Sequence, residues 1–133
     1  ENHLMGKGRG RTYSLKFNNE TVASVQVFGK QNLEISRFCT KKGISVVGGF
    51  SKLLAAVIKT ESPMKISTFI DKRYGDGSHL IDKGFSLSTD YLSFVWYGKN
   101  KIYHRMKFKG NSGYNFGLVK LWDCGQAKWE MSL

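Results

Sequence analysis

Apolar residues fall at Phe50, Leu53, Leu54, Val57 and Ile58, spaced i, i+3, i+4, i+7 and i+8, so they draw one stripe down an α-helix. Ser51, Lys52, Ala55 and Lys59 take its other faces. Ahead of this helix the period changes to two. Thr12 to Phe17 alternates, with Tyr13, Leu15 and Phe17 on one side, and reads as a strand. Asn18-Asn19 turns the chain, since Asn tolerates positive φ. Thr21 to Phe28 is a second strand rich in valine, Lys30 to Asn32 a turn, and Leu33 to Thr40 a third strand. Beyond the helix, Pro63 marks a loop into a short apolar strand, Ile66 to Ile70. Asp76 to Lys83 reads as a short helix with Asp76 as N-cap and Gly84 as its stop. Leu87 to Tyr97 and Lys101 to Lys109 read as a hairpin around Gly98-Lys99-Asn100. From Gly110 onward, Tyr114, Phe116, Leu118, Leu121, Trp122 and Trp129 are expected to pack on the body.

The order is therefore three strands, helix, strand, short helix, two strands. This predicts an α+β (α/β) fold, a mixed but mostly antiparallel sheet flanked by helices. The stretch from Lys42 to Phe85 is its kernel: a glycine turn, a helix and a following strand, with chemistry expected at the strand ends. With 133 residues, no repeat and no low-complexity break, the chain reads as one domain spanning 1–133, with a basic N-terminal arm at about 1–11. It opens on Glu1 rather than methionine, which reads as a processed or excised piece of something longer.

Charge changes the picture most. The net charge of +11 favours a polyanionic partner, double-stranded DNA first and an anionic membrane surface second. No apolar run approaches a membrane span, and no secretory signal is visible. Cys39 and Cys124 form no CxxC pair, so no metal site is expected, and a reduced cytoplasmic setting follows. The three histidines have no metal-ligand spacing, and no nuclease constellation is present.

Three stretches carry candidate chemistry. Ser45 to Ser51 places Gly48 and Gly49 before the helix, where bare backbone N–H groups suit a phosphate; a plain strand-to-helix turn is the alternative. Asp71, Arg73 and Tyr74 follow a strand end: an acid that serves as a base or orients the arginine, an arginine for phosphate, a ring for a base. A structural ion pair is the alternative there. Topology places this trio beside the N-terminal end of the Gly49–Lys59 helix. Lys99, Lys101, Arg105, Lys107 and Lys109 form the densest basic run, and on one strand the last four share a face with Tyr103. Lys7, Arg9 and Arg11 alternate with glycines in the arm, as a flexible tail or as phosphate contacts.

The element order resembles the GNAT acyltransferase topology. The segments EISRFCTKKGISVVGGFSKLL, STFIDKRYGDG, DKGF, YHRMKF and LWDCG resemble the GNAT-like C-terminal domain of phage homing-endonuclease-like proteins, related to the phage Mom DNA-modification protein. The resemblance implies a DNA-gripping module in a phage-infected bacterial cell or, alternatively, a Mom-like transferase modifying a DNA base from acetyl-CoA or a related acyl donor. Under the alternative, Gly48, Gly49 and Ser51 hold the coenzyme diphosphate. Two departures weigh against ordinary acetyl transfer: Phe50 stands where the family's glycine loop closes on a small residue, and Leu80 where a tyrosine proton donor is usual.

Overall fold

The computed structural model describes residue 6 and residues 8–133. Its main sheet has six strands in the order β1-β2-β3-β4-β9-β5. The strands are β1 (Arg11–Phe17), β2 (Glu20–Gly29), β3 (Asn32–Thr40), β4 (Lys65–Asp71), β5 (Ser86–Tyr91) and β9 (Gln126–Ser132). Asn18 and Asn19, at φ 48° and 61°, make the tight β1–β2 turn that a right-handed strand twist favours. Helix α1 (Gly49–Glu61) connects β3 to β4, the one parallel pair; every other neighbouring pair in this sheet is antiparallel. The helix lays Leu53, Leu54 and Val57 on Val25, Val27, Leu33 and Ile66, with Phe50 and Ile58 at the edge of that core. Each such side chain removed from water contributes roughly 1.5–3 kcal/mol.

Arg11 also holds the helix to the sheet. Its guanidinium grips both oxygens of Glu61, at 2.6 and 2.9 Å, and donates to the Gly29 carbonyl, while the Tyr13 hydroxyl donates to the same carboxylate at 2.6 Å. The hydrogen bond from Arg11, and then that from Tyr13, hold the Glu61 carboxyl below its usual range.

Between β5 and β9 the chain leaves the main sheet and builds a second one, β7-β6-β8, from β6 (Phe94–Gly98), β7 (Lys101–His104) and β8 (Val119–Trp122). Trp96 is fully buried here, ringed edge-on by Phe94, Phe108 and Tyr114, and Gly113 lies so close that a Cβ would meet its ring at 2.5 Å.

The sequence reading is corrected in several places. The strand expected over Leu87–Tyr97 is two strands in two sheets, broken at Leu92-Ser93. The strand expected over Lys101–Lys109 stops at His104, because the His104 ring Nδ1 accepts the Met106 N–H and starts a 3-10 turn over Arg105–Lys107. The short helix after β4 is a 3-10 turn over Ser78–Lys83, and its N-cap is Gly77 at φ 84°, not Asp76; Asp76 stands one residue earlier and accepts the Ser78 N–H at 2.9 Å. The aromatic tail contains β8 and β9, and β9 is a central strand.

Candidate functional site

The site begins at an irregularity. Val27 pairs with Ile35 and Gln26 with Arg37, so Ser36 is an extra residue in β3, a β-bulge; its hydroxyl donates to the Gln26 carbonyl at 3.2 Å. The parallel β3–β4 ladder runs from Asn32↔Lys65 to Ile35↔Thr68 and ends at that bulge. The buried Thr68 hydroxyl donates to the Ile35 carbonyl at the point where pairing stops. Beyond it, Arg37–Thr40 and Phe69–Asp71 each pair only with their outer neighbours, which leaves two facing strand edges unpaired.

The N-terminus of α1 lies against the β3 side of this fork. Gly48 adopts the left-handed region, φ 68°, with open space where its Cβ would project. The helix has no side-chain cap and no acid in its first turn, and the N–H groups of Phe50 and Ser51 have no acceptor among the described residues. Such a terminus carries about half a positive charge and attracts an anion. A cleft of about 340 Å³ lies against it, lined by Phe38, Thr40, Gly48, Gly49, Ser51 and Lys83, among others. Phe50 also lines the cleft, its ring edge-on to Phe38 with centroids 5.2 Å apart. That ring is a wall packed on the core edge, and the cleft stands open beside it. Lys83, from the turn before β5, brings a cation that the sequence reading did not place here.

Asp71 ends β4, on the strand next to the one that feeds α1. The cleft lining does not include it, Arg73 or Tyr74. Asp71 and Arg73 form a two-pronged ion pair: Arg73 Nε lies 3.0 Å from Oδ1 and Nη2 2.6 Å from Oδ2, and the Arg73 N–H donates to Oδ1 as well. These bonds hold the Asp71 carboxyl below its usual range and raise Arg73 further. A carboxylate so held is a poor proton acceptor near neutral pH. Of the two roles read for Asp71, orienting the arginine is the one the geometry fits. The guanidinium is half-exposed and lies over the exposed Tyr74 ring, 5.6 Å from its centroid. Leu80 is buried in the main core, 2% exposed, and packs rather than facing a ligand.

The basic run does not form a single strand face. Lys99 sits in the β6–β7 turn at φ 53°, and Lys101 lies on β7. Arg105 folds back to Ser93 Oγ at 3.3 Å and over the Tyr91 ring, and Lys107 lies over the Tyr103 ring. Lys109 is exposed. In the arm, Lys7 lies outside the described residues, Arg9 is exposed, and Arg11 is engaged by Glu61. Gly8 donates to the Gln26 side chain and Gly6 accepts from Arg37, so these arm residues lie beside the bulge.

No protein-family model matches the chain, and neither does any curated protein. Solved structures do. A GNAT family acetyltransferase from Elizabethkingia anophelis, with acetyl-CoA bound, superposes with a TM-score of 0.59 at 16% identity, covering 93% of this chain and 76% of that one. IAA acetyltransferase from Bacillus cereus superposes at 0.57 with 17% identity, covering 94% and 79%. The fold is GNAT-like. At that identity the likeness is one of architecture. Among the described residues, no helix is long and apolar enough to cross a membrane.

Proposed function

We propose that this GNAT-like domain binds an acyl-coenzyme A in the fork between β3 and β4 and transfers its acyl group to a nucleophilic N–H acceptor on DNA, the thioester C–S bond breaking as the new C–N bond forms and the coenzyme leaving as its thiol with the proton the acceptor gives up. The observation that carries this reading is the coincidence of three features: the parallel ladder stops, the strand edges open, and the uncapped head of α1 faces a 340 Å³ cleft with no acid in its first turn. The residues fit a diphosphate. The Phe50 and Ser51 N–H groups are free donors, Gly48 leaves room for close approach, and Lys83 adds charge, while Gly49 serves the packing of the helix start against Val46. The bound coenzyme would supply an activated thioester. The chain's part is to seat it and to position the acceptor; Leu80 offers no proton, so positioning is the main contribution. The solved GNAT neighbour with acetyl-CoA supports the choice of donor class.

DNA as partner rests on the net charge of +11 and on the resemblance to the phage homing-endonuclease-associated domain and to Mom, which also supplies the setting of a phage-infected cell. A second reading, a DNA-gripping module without chemistry, is favoured by the burial of Leu80 where a proton donor is usual.

Titration calorimetry with acetyl-CoA, paired with mass analysis of nucleosides from DNA incubated with protein and acetyl-CoA, separates the two. Transferase function gives coenzyme binding that Lys83→Glu weakens, and a nucleoside heavier by one acetyl group. DNA binding with no coenzyme binding would establish the module instead.

A further inference from the structure

Eight of the eighteen aromatic residues and six of the twenty-one basic ones lie between Leu92 and Gly125, against one acid, Asp123. This is the segment that builds the second sheet. Its rings do more than fill a core. Trp96 is fully buried, but Trp122 is 59% exposed and Tyr114 51% exposed. The Lys120 ammonium lies between them, 5.7 Å from each ring centroid, above a floor of Phe94 at 4.6 Å and Trp96 at 5.3 Å. Asn111 Oδ1 accepts one of its protons at 2.8 Å. The result is a cation flanked by two half-exposed rings, both braced from behind: Trp122 on Phe94 at 5.0 Å, Tyr114 on Trp96 at 5.1 Å.

We propose that this lobe binds unpaired nucleotides of a nucleic-acid strand, stacking bases on Trp122 and Tyr114 and neutralising the phosphate between them with Lys120. Stacking rings joined to a basic track are the general means of holding single strands, and a paired duplex presents no free base face to such rings. A lipid interface asks for rings that project beyond the cations; here the cation sits between braced rings.

The lobe's placement gives the binding a purpose. Gln126 stands opposite both Asp71 and Tyr91, and the Lys72 N–H donates to the Gly125 carbonyl at 3.0 Å. The lobe therefore springs from the same end of the sheet as the β4 terminus, where the fork opens. A strand held on it lies at the end of the sheet where the fork opens. The inference rests on the reading of DNA as partner and deepens it: the acceptor is an unpaired or extruded base.

The test uses fluorescence anisotropy of a labelled oligothymidylate of about 12 nucleotides, a duplex of the same length and phosphatidylserine vesicles. The single strand is expected to bind more tightly than the duplex and to quench tryptophan fluorescence. Trp122→Ala and Tyr114→Ala are each expected to weaken it about tenfold, while Trp122→Phe retains most of the affinity. Acetyl-CoA binding by Trp122→Ala, measured on the same preparation, is expected to match the wild type and shows that the variant is folded. Equal affinity for single strand and duplex, with both alanine variants unaffected, overturns the lobe assignment and leaves the DNA reading standing. No binding to either nucleic acid overturns both. Trp122-dependent vesicle binding without oligonucleotide binding identifies the lobe as a membrane contact and overturns the proposal.

Discussion

Glu130 lies between Lys128 and Lys65, with ammonium groups 2.6 and 2.7 Å from its two oxygens. The hydrogen bond from Lys128, and then that from Lys65, pull its carboxyl down to about 2. A depressed pKa stabilises the fold above the ordinary carboxylate value, and the stability is lost as pH falls through the folded one. Glu130→Gln should therefore lower the melting temperature at pH 7, and the gap to wild type should narrow between about pH 4.5 and pH 2. A gap that stays constant over that window would mean the ion pairs contribute nothing. Gly125 is a second test at this scale. It sits at φ 84°, and a Cβ there would lie 1.9 Å from the Tyr91 carbonyl oxygen, at the neck where the lobe leaves the sheet. Gly125→Ala should cost about 3 kcal/mol in chemical denaturation. Single residues divide into those the sequence exposes and those it hides. Gly48 was legible because a glycine before a helical stripe has few uses. The commitment of Arg11 to Glu61 was not, since fifty residues separate them and charge alone cannot choose a partner.

Helix α1 and its approach were the most legible elements, because a strong 3.6-residue stripe meets a glycine pair there, and both signals are local. The head of this helix yields a prediction that separates binding from folding. Ser51 is in the first turn, where a carboxylate interacts favourably with the helix dipole. Ser51→Glu should therefore keep or slightly raise the melting temperature, while its charge fills the anion seat and abolishes acetyl-CoA binding by calorimetry. Unchanged coenzyme affinity would remove α1 from the site. Strand β9 was less legible. Ala127, Trp129 and Met131 alternate inward against Gln126, Lys128 and Glu130, the half-buried pattern, but the run is short and lies in a tail whose aromatics fit packing on the body equally well. Its place between β4 and β5 is a matter of long-range pairing, which periodicity does not encode. The Lys101–Lys109 run shows the reverse error. Alternation was present, but the His104 ring accepts a backbone N–H and ends the strand, a local competition that binary pattern ignores.

At the scale of the molecule, the chain is a GNAT-like sheet carrying a lobe with its own core. Trp96 and Leu118 are buried, yet neither belongs to the main cluster built on Val25, Leu33, Leu53 and Ile66. The charge of +11 acts over the whole surface, so DNA affinity should fall steeply with salt, by about 0.7 in the logarithmic slope for each phosphate neutralised on a single strand and about 0.9 on a duplex. The separate cores permit a sharper division. Tyr91 and Gln126 face each other across an antiparallel pair, so a two-residue Asn-Gly turn can join them and replace the lobe entirely. The shortened protein keeps the β3–β4 fork, the α1 terminus and Lys83, because none of these draws on Leu92–Gly125 for its packing. It should fold cooperatively and bind acetyl-CoA with wild-type affinity while losing oligonucleotide binding. Coenzyme binding that disappears with the lobe, in a protein still showing a cooperative melt, would mean that the lobe completes the donor site as well, and the division of labour between sheet and lobe would fall.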